Sequence, residues 1–567
     1  MRTGAMSALS SMEPNENNMR VFSNYLQQTL SPDDQIRKPA ESFLVSVEHN
    51  EGFSRLVISV ILSPDFSVEV KMAGAITLKN FVRHNWNLTK DDVHYISDTD
   101  RAYIKEQILG LMIIAAPNIK RQVAEALAVI GKSDFPDRWP CLVGDFVSYL
   151  TSGDFDVIQS VLQTAHSLFK HYRSDAKSNE LWAEIKYVLD NFASPLTELF
   201  KLTVTYVIDM ISSPTRTPEN SKTAKAAIAS LTLMAKIFYS LNIQDLPEFF
   251  EDNINVWMSN FLTLLKADFS PLVSPNEDVV ENLRSQICNN IGMYAQRYEE
   301  EFSPYLSSFV EVVWNMLLNT GREVKYDLLV ANAVSFLASV CERERYKGLF
   351  ENNETLAYIC ERIIVPNMEL RQCDLDIYQD NPEEYVQKDI EGFDASARRR
   401  SASDFVRILC KYFEPSVIHL CSTYINQLFT EYAVNPMQNW QRKDAAIHLV
   451  MSLISRGQTA KYGATKTTEL VNIAEFFNNH VKPELESETD LCMLKMDALK
   501  YVVTFRHQLP KEELQKCLPV FIKLLKSADV GVRSYAAHLL ECVLTMKDLK
   551  GKLSSQFVVD RSRFVTG

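Results

Sequence analysis

Apolar residues recur at intervals of three and four along nearly the whole chain. In MRVFSNYLQQTL, Val21, Phe22, Tyr25, Leu26 and Leu30 fall on one side of a helix. Ser31-Pro32-Asp33-Asp34 then interrupts the pattern. Ser31 suits a cap, Pro32 the first helical position, and the acids the first turn. The next stretch puts Ile36, Ala40, Phe43, Leu44 and Val47 on one face. The same rhythm returns in GFSRLVISVIL, Ser63-Pro64-Asp65 and VEVKMAGAITLKNFVRHNW. It returns again in DRAYIKEQILGLMIIAAP, Asn118 and KRQVAEALAVIGKSDFP. A helix, a short turn and a second helix in roughly 35–50 residues predict an all-α HEAT-repeat superhelical solenoid of about 12–13 helix pairs. A late repeat, LPVFIKLLKSADVGVRSYAAHLLECVL (518–544), places Val530, Val532, Ala536, Ala537, Leu540 and Val543 on an inner face, with Arg533 at the turn.

Three places depart from the rhythm. SDFPDRWP sets two prolines and a tryptophan between apolar helical stretches. Pro136 ends one helix, Asp137 caps the next, and Trp139 packs between repeats, so the segment reads as a structural joint. The segment 365–400 carries nine acids between Glu369 and Asp394 against Arg371 and Lys388. Its composition predicts an insertion or long loop, because it has too little apolar surface to fold alone. At the C-terminus KGKLSSQFVVDRSRFVTG follows a good repeat directly and supplies no polar capping repeat, as in a truncated array. An exposed apolar face near Leu539, Leu540, Val543 and Leu544, prone to self-association, is expected there.

Composition narrows the class. The chain has 567 residues, too many for one ordinary core, and only 16 glycines, which disfavours tight hairpins and phosphate-cradling loops. No apolar run approaches a membrane-spanning length, and MRTGAMSALSSMEPNENN lacks the apolar core of a signal peptide. A chain of the cytosol or nucleus is expected. Its ten cysteines (141, 288, 341, 360, 373, 410, 421, 492, 517 and 542) lack metal-ligand spacing and read as reduced thiols. The net charge of −13 argues against duplex nucleic acid or an anionic membrane as main partner and is compatible with basic proteins.

Catalytic chemistry finds no carrier in the sequence. Gly457 to Thr467 imitates a phosphate loop, but its glycines and Lys466 are wrongly spaced and no strand precedes them. The histidines, among them His166, His171, His448 and His538, stand singly, without the spacing of a metalloprotease. Arg398-Arg399-Arg400-Ser401 reads either as a basic helix start or as a phosphorylation site at Ser401. Neither an enzyme nor a resident cofactor or metal is implied.

Several segments together carry a resemblance. IRKPAESFLVSVE with AGAITLKNFVRHNW is similar to the importin N-terminal domain of the karyopherin-β family of nuclear transport receptors, and SDFPDRWPCL to a turn of those receptors. GDFDVIQSVLQTAHSLFKHYR, SNELWAEIKYVLDNFASPLTELF, DNPEEYVQKDIEG and QNWQRKDAAIHLVMSL resemble its importin-α re-exporter branch, the exportin-two or cellular apoptosis susceptibility type. The resemblance runs from about residue 20 to 548. It implies a leader at 1–19, an importin N-terminal domain at 20–113, a HEAT solenoid at 114–548 with an acidic insertion at 366–397, and a divergent tail at 549–567.

The resemblance further implies a receptor that binds GTP-bound Ran and importin-α together, shuttles between nucleus and cytoplasm, and meets nuclear pore proteins, with no nucleic acid and no membrane insertion. Members are about twice this length. Inner-facing polar residues of the early repeats, Lys79, Asn80, Arg83, Gln122 and Glu125, are implied to contact Ran. So are Asp380, Glu383, Glu384, Tyr385 and Asp389 of the insertion, whose acids complement a basic patch and whose Tyr385 ring serves as an anchor. Two alternatives stay open. A related karyopherin importing basic cargo predicts that GTP-bound Ran displaces cargo. A passive HEAT scaffold predicts that neutralising Glu383 and Glu384 changes nothing that depends on nucleotide.

Overall fold

The computed structural model describes residues 12–89, 92, 95–213, 217–391, 398–456, 463–489 and 491–545. The chain divides into two compact units, 1–283 and 284–567, each a stack of antiparallel helix pairs. Among the described residues the only β pairing is an isolated bridge between Ser455 and Thr467.

In the first unit α1 (Glu16–Thr29) pairs with α2 (Asp34–Val47), and α3 (Phe53–Leu62) with α4 (Val68–Asn85). Next come α5 (Asp98–Ile114) with α6 (Pro117–Asp134), and α7 (Leu142–Leu150) with α8 (Phe155–Phe169). α9 (Asn179–Val188) runs through a π turn into α10 (Ser194–Ser212), which packs on α11 (Pro218–Asn242). α12 (Glu248–Asp252) and α13 (Ile254–Lys266) complete the unit. The second members α4, α6, α8 and α11 pack one against the next as a single layer. α14 (Val279–Arg297) crosses the division of the chain.

The second unit contains α15 (Glu299–Asn319), α16 (Asp327–Cys341), α17 (Asn353–Ile359), α18 (Val365–Met368), α19 (Gln372–Asp380) and α20 (Pro382–Glu391). α21 (Arg398–Val434), α22 (Trp440–Ile454), α23 (Ile473–Phe476), α24 (Lys482–Glu486), α25 (Cys492–Phe505), α26 (Lys511–Leu524) and α27 (Val530–Leu544) follow. Here α16, α21, α22, α25 and α27 form the corresponding layer. α21 is two helices joined at a kink, where Phe413 leaves helical geometry (φ −129°, ψ 34°) just before Pro415.

Prolines explain a recurring irregularity. π turns at Leu189–Ala193, Cys360–Ile364 and Phe477–Val481 each lie two residues before a proline, Pro195, Pro366 or Pro483. A proline ring clashes with the carbonyl four residues back and returns no hydrogen bond to it. One wide turn lets the helix pass the ring without ending.

Periodicity located the helices better than their ends. Asp33, not Ser31, caps α2, accepting from the Gln35 amide at 2.8 Å. Ser67 caps α4, and Asp529 caps α27 by accepting from Val532 N at 2.9 Å. In the joint, α6 ends at Asp134, the Phe135–Pro136 peptide is cis, and α7 begins at Leu142, so Asp137 is exposed and caps nothing. Trp139 is buried, with Lys105 Nζ over both its ring and that of Trp86, while the same ammonium meets buried Asp134 at 2.7 Å. Arg533 donates to the Ser527 and Ala528 carbonyls of its turn. The expected apolar end face is corrected: Leu539, Leu540 and Val543 are buried and only Leu544 is exposed.

Buried aromatic clusters hold the pairs together. In the first unit Trp257 stacks between Phe200 (4.2 Å between ring centroids) and Phe238 (4.3 Å), meets Phe250 and Phe261, and donates Nε1–H to Thr197 Oγ1 at 3.2 Å. Rings of this size contribute roughly 2–3 kcal/mol each by burial. Two helical segments, Asn220–Asn242 and Val324–Cys341, are long and apolar enough to cross a membrane by length and composition. Both are mostly buried against neighbours, as central helices of a stack are.

Candidate functional site

The early-repeat residues lie on α4 and α6. The structure brings three of them together: Lys79 Nζ donates to Gln122 Oε1 at 2.7 Å and lies 3.7 Å from Glu125 Oε2. The ammonium is largely covered while the Glu125 side chain is 52% exposed, so a polar, accessible rung spans two repeats. Asn80 and Arg83 are exposed on the same helix as Lys79, and their side chains make no hydrogen bond or ion pair among the described residues.

The acidic segment differs from the long loop that its composition predicts. Its described part forms α19 and α20 and is tied down at both ends. At the base, the Arg371 guanidinium bridges Asp327 (2.6 and 2.8 Å) and Asp374 (2.9 and 3.0 Å), and Asp374 also accepts from the Arg371 amide. Glu369 binds Arg322 at 3.0 Å and also Arg442, while Arg398, 8% exposed, binds Asp327 at 2.7 Å. Asn381 caps α20 through the Glu384 amide (3.2 Å), and Glu384 pairs with Lys388 at 2.7 Å, which holds its carboxyl below the ordinary value.

At the tip the segment reaches the end of its unit. Tyr378 Oη donates to Asp529 Oδ1 at 2.6 Å, the same carboxylate that caps α27. Tyr378 lies so close to α27 that a Cβ at Gly531 would stand 2.4 Å from its hydroxyl, so a side chain there would displace the Tyr378 ring. Asp389 takes Lys500 Nζ bidentately at 2.7 and 2.8 Å and accepts from the Tyr535 hydroxyl. Desolvation would raise its pKa, but Lys500 together with His448 and Arg399 lowers it below the ordinary value. The structure thus places Asp389, although exposed, in an ion pair with Lys500, and the Tyr385 ring, half-buried, edge-on to Tyr378 at 5.3 Å. Asp380, Glu383 and Glu384 point outward, exposed.

Beneath lies a buried charge cluster. His448 Nε2 is 3.0 Å from Asp497 Oδ1 and 4.0 Å from Asp444 Oδ1, and Arg399 holds both Asp444 oxygens, at 2.5 and 3.2 Å. Asp444, His448 and Asp497 are close enough to converge on one metal ion, but the guanidinium already occupies Asp444 and supplies positive charge there. Burial pushes Asp444 up to about 7 and Asp497 up to about 6, and burial with Arg399 drives His448 well below its ordinary value. Ser401 sits half-buried in α21, its upstream Arg398 and Arg399 fixed in these ion pairs. Residues 457–462 of the glycine-flanked segment lie outside the described residues.

Lys500, Asp529, Tyr535 and the cluster were missed by sequence reasoning. A signal existed: Asp497 and Lys500 interrupt the apolar stripe of LKMDALKYVV, as Asp444 and His448 interrupt that of QRKDAAIHLVMSL.

Comparison with known proteins adds the lineage. Residues 168–540 match the family model described as Cse1, and residues 40–113 match the importin-beta N-terminal domain. Exportin-2 of Oreochromis niloticus is 49% identical over 545 residues, covering 94% of this chain and 55% of its own length. Exportin-2 of Homo sapiens is 48% identical over 541 residues with the same coverage. The chain therefore spans about half the length of the curated relatives it matches. The solved structure of the exportin Cse1 in its cargo-free, cytoplasmic state superposes with a TM-score of 0.87 at 33% identity, covering 93% of this chain and 56% of that one. Importin beta, at 13% identity and a TM-score of 0.58 over 93% of this chain and 56% of its own, shares the fold.

Proposed function

The chain belongs to the Cse1 family, and from that membership we propose that it acts in nuclear transport as a receptor for GTP-bound Ran and importin-α, returning importin-α from nucleus to cytoplasm. The observation that carries this reading is the family match over 168–540, supported by likeness to cargo-free Cse1 through most of the chain. On this reading the protein binds and releases partners without catalysing a reaction, shuttles through pores in contact with nuclear pore proteins, and neither inserts into membranes nor takes nucleic acid as cargo. Lys79, Asn80, Arg83, Gln122 and Glu125 meet Ran. Asp380, Glu383 and Glu384 offer carboxylates to its basic surface, chiefly speeding encounter and setting specificity. Asp389 and Tyr385 hold the insertion in place, so they act on Ran through the position of α19 and α20.

The test is capture of importin-α on the immobilised chain with GTP-loaded Ran, GDP-loaded Ran and no Ran. The expected result is capture that requires the GTP form, with GTP-loaded Ran itself retained at least about tenfold better than GDP-loaded Ran. Equal capture in all three conditions would sink the proposal in favour of a passive scaffold. Displacement of a basic cargo by GTP-loaded Ran would assign the chain to the importing class instead.

A further inference from the structure

Within the first unit, Lys79 on α4 is matched by Glu125 and Lys225 on α11 by Glu277 at 2.7 Å. A group of cations around the end of α8 stands without such partners. Lys132 ends α6, Lys170 and Arg173 form the turn after α8, and Lys236 lies on the adjacent α11. None of the four makes an ion pair among the described residues. Arg173 is held rigidly by donating Nε–H to Ser240 Oγ (2.9 Å) and Nη2–H to the Lys236 carbonyl (2.8 Å), with its guanidinium 5.0 Å from the Tyr239 ring centroid.

Of the acids on the neighbouring segment, Glu184 accepts from Tyr172 Oη at 2.8 Å and burial pushes its pKa up to about 7, while Asp175 lies 3.8 Å from the imidazole of His171, which burial keeps neutral. The crowding adds to the effect of burial on the local titrations. Burial, then Arg173, lowers the Lys236 pKa. Burial, then Arg173, Lys236 and Lys170, lowers that of His166 to about 3. A buried ring nitrogen of His166, Nδ1, has no hydrogen-bond partner. A chain of net charge −13 therefore concentrates mutually repelling cations on one preorganised ridge, an arrangement that an anion would relieve.

We propose that the Lys132–Lys170–Arg173–Lys236 ridge is a docking site for an acidic peptide segment of a partner protein. The ridge crosses three successive helices, whose axes in such packings lie about 8–10 Å apart. It is therefore roughly as long as six residues of extended chain. That length suits a run of Asp and Glu, whereas a single small anion meets only part of it. Fixed Arg173 provides directional contacts, the lysines supply adaptable charge, and Tyr239 gives the peptide stem an apolar surface. The site is independent of the nucleotide-dependent reading above.

The test titrates a fluorescein-labelled oligoglutamate peptide against the full chain at low ionic strength and follows anisotropy. Saturable binding is expected, weakening steeply with added salt. Lys132→Gln with Lys170→Gln, both exposed and outside the packing, should weaken it about tenfold. Lys186→Gln with Lys201→Gln removes the same charge elsewhere in the unit and should change it less than about twofold. Acetylation footprinting should show Lys132 and Lys170 protected by the peptide and Lys186 unprotected. No binding, equal loss in both double variants, or equally effective competition by tripolyphosphate would overturn the proposal. Tighter binding of single-stranded RNA to the same ridge would overturn it as well.

Discussion

Asp497 shows how a single buried carboxyl acquires a pH dependence. Its side chain is 8% exposed, its Oδ1 faces His448, its Oδ2 has no hydrogen-bond partner, and Asp444, Arg399 and Lys500 surround it with mixed charge. Burial raises its pKa from 3.8 to about 6, and that of Asp444 to about 7. Between about pH 4 and 7 the folded protein therefore binds more protons here than the unfolded chain, so this contribution to stability falls as pH rises through that window. His448 has the opposite sign. It stays neutral in the fold where the unfolded chain would protonate it below 6.5, so its contribution is lost as pH falls. Asp497→Asn keeps an acceptor for His448 and removes one buried charge. Its melting temperature relative to the parent should rise between pH 5 and pH 8, corresponding to roughly 1–3 kcal/mol. A difference that stays constant with pH, measured by scanning calorimetry, would refute the shifted titration.

α19 and α20 are elements whose stability lies outside themselves. At 9 and 10 residues, rich in acids, they are too short to persist alone. Their docking contacts come from residues more than a hundred positions downstream: Asp529 for Tyr378, and Lys500 and Tyr535 for Asp389. Tyr378→Phe removes the hydrogen bond to Asp529 but leaves that carboxylate capping α27. The expected loss is about 1 kcal/mol of local stability, or about fivefold faster amide exchange across 372–390 with exchange in α27 unchanged. Lys500→Met should act in the same direction by leaving Asp389 without its cation. Equal acceleration throughout the second unit would show that the contacts support the whole unit and not the insertion.

The same physics marks what the sequence could reveal. Helices such as α27 were legible because their apolar stripes face neighbouring repeats. The insertion helices were not, since long-range ion pairs leave no local period. Nor was the Lys105–Asp134 pair, whose partners belong to different helices.

At the scale of the whole molecule, a repeat array touches mainly its neighbours, so small shifts at each interface add up over many repeats. On the proposed function, GTP-bound Ran and importin-α each favour the same arrangement. Coupling free energy belongs to the pair, so each must raise the affinity of the other by one common factor, typically about 5–150-fold. Calorimetric titration of Ran with and without saturating importin-α, and of importin-α with and without saturating GTP-loaded Ran, measures the factor twice on this chain. Agreement between the two values is expected. Because the match covers 55% of its Exportin-2 relatives, a value near the lower end would assign the remaining coupling to the part of those relatives beyond the matched region. A factor of one in both directions, with each partner still bound, would separate binding from cooperativity and leave the array a platform with two independent sites.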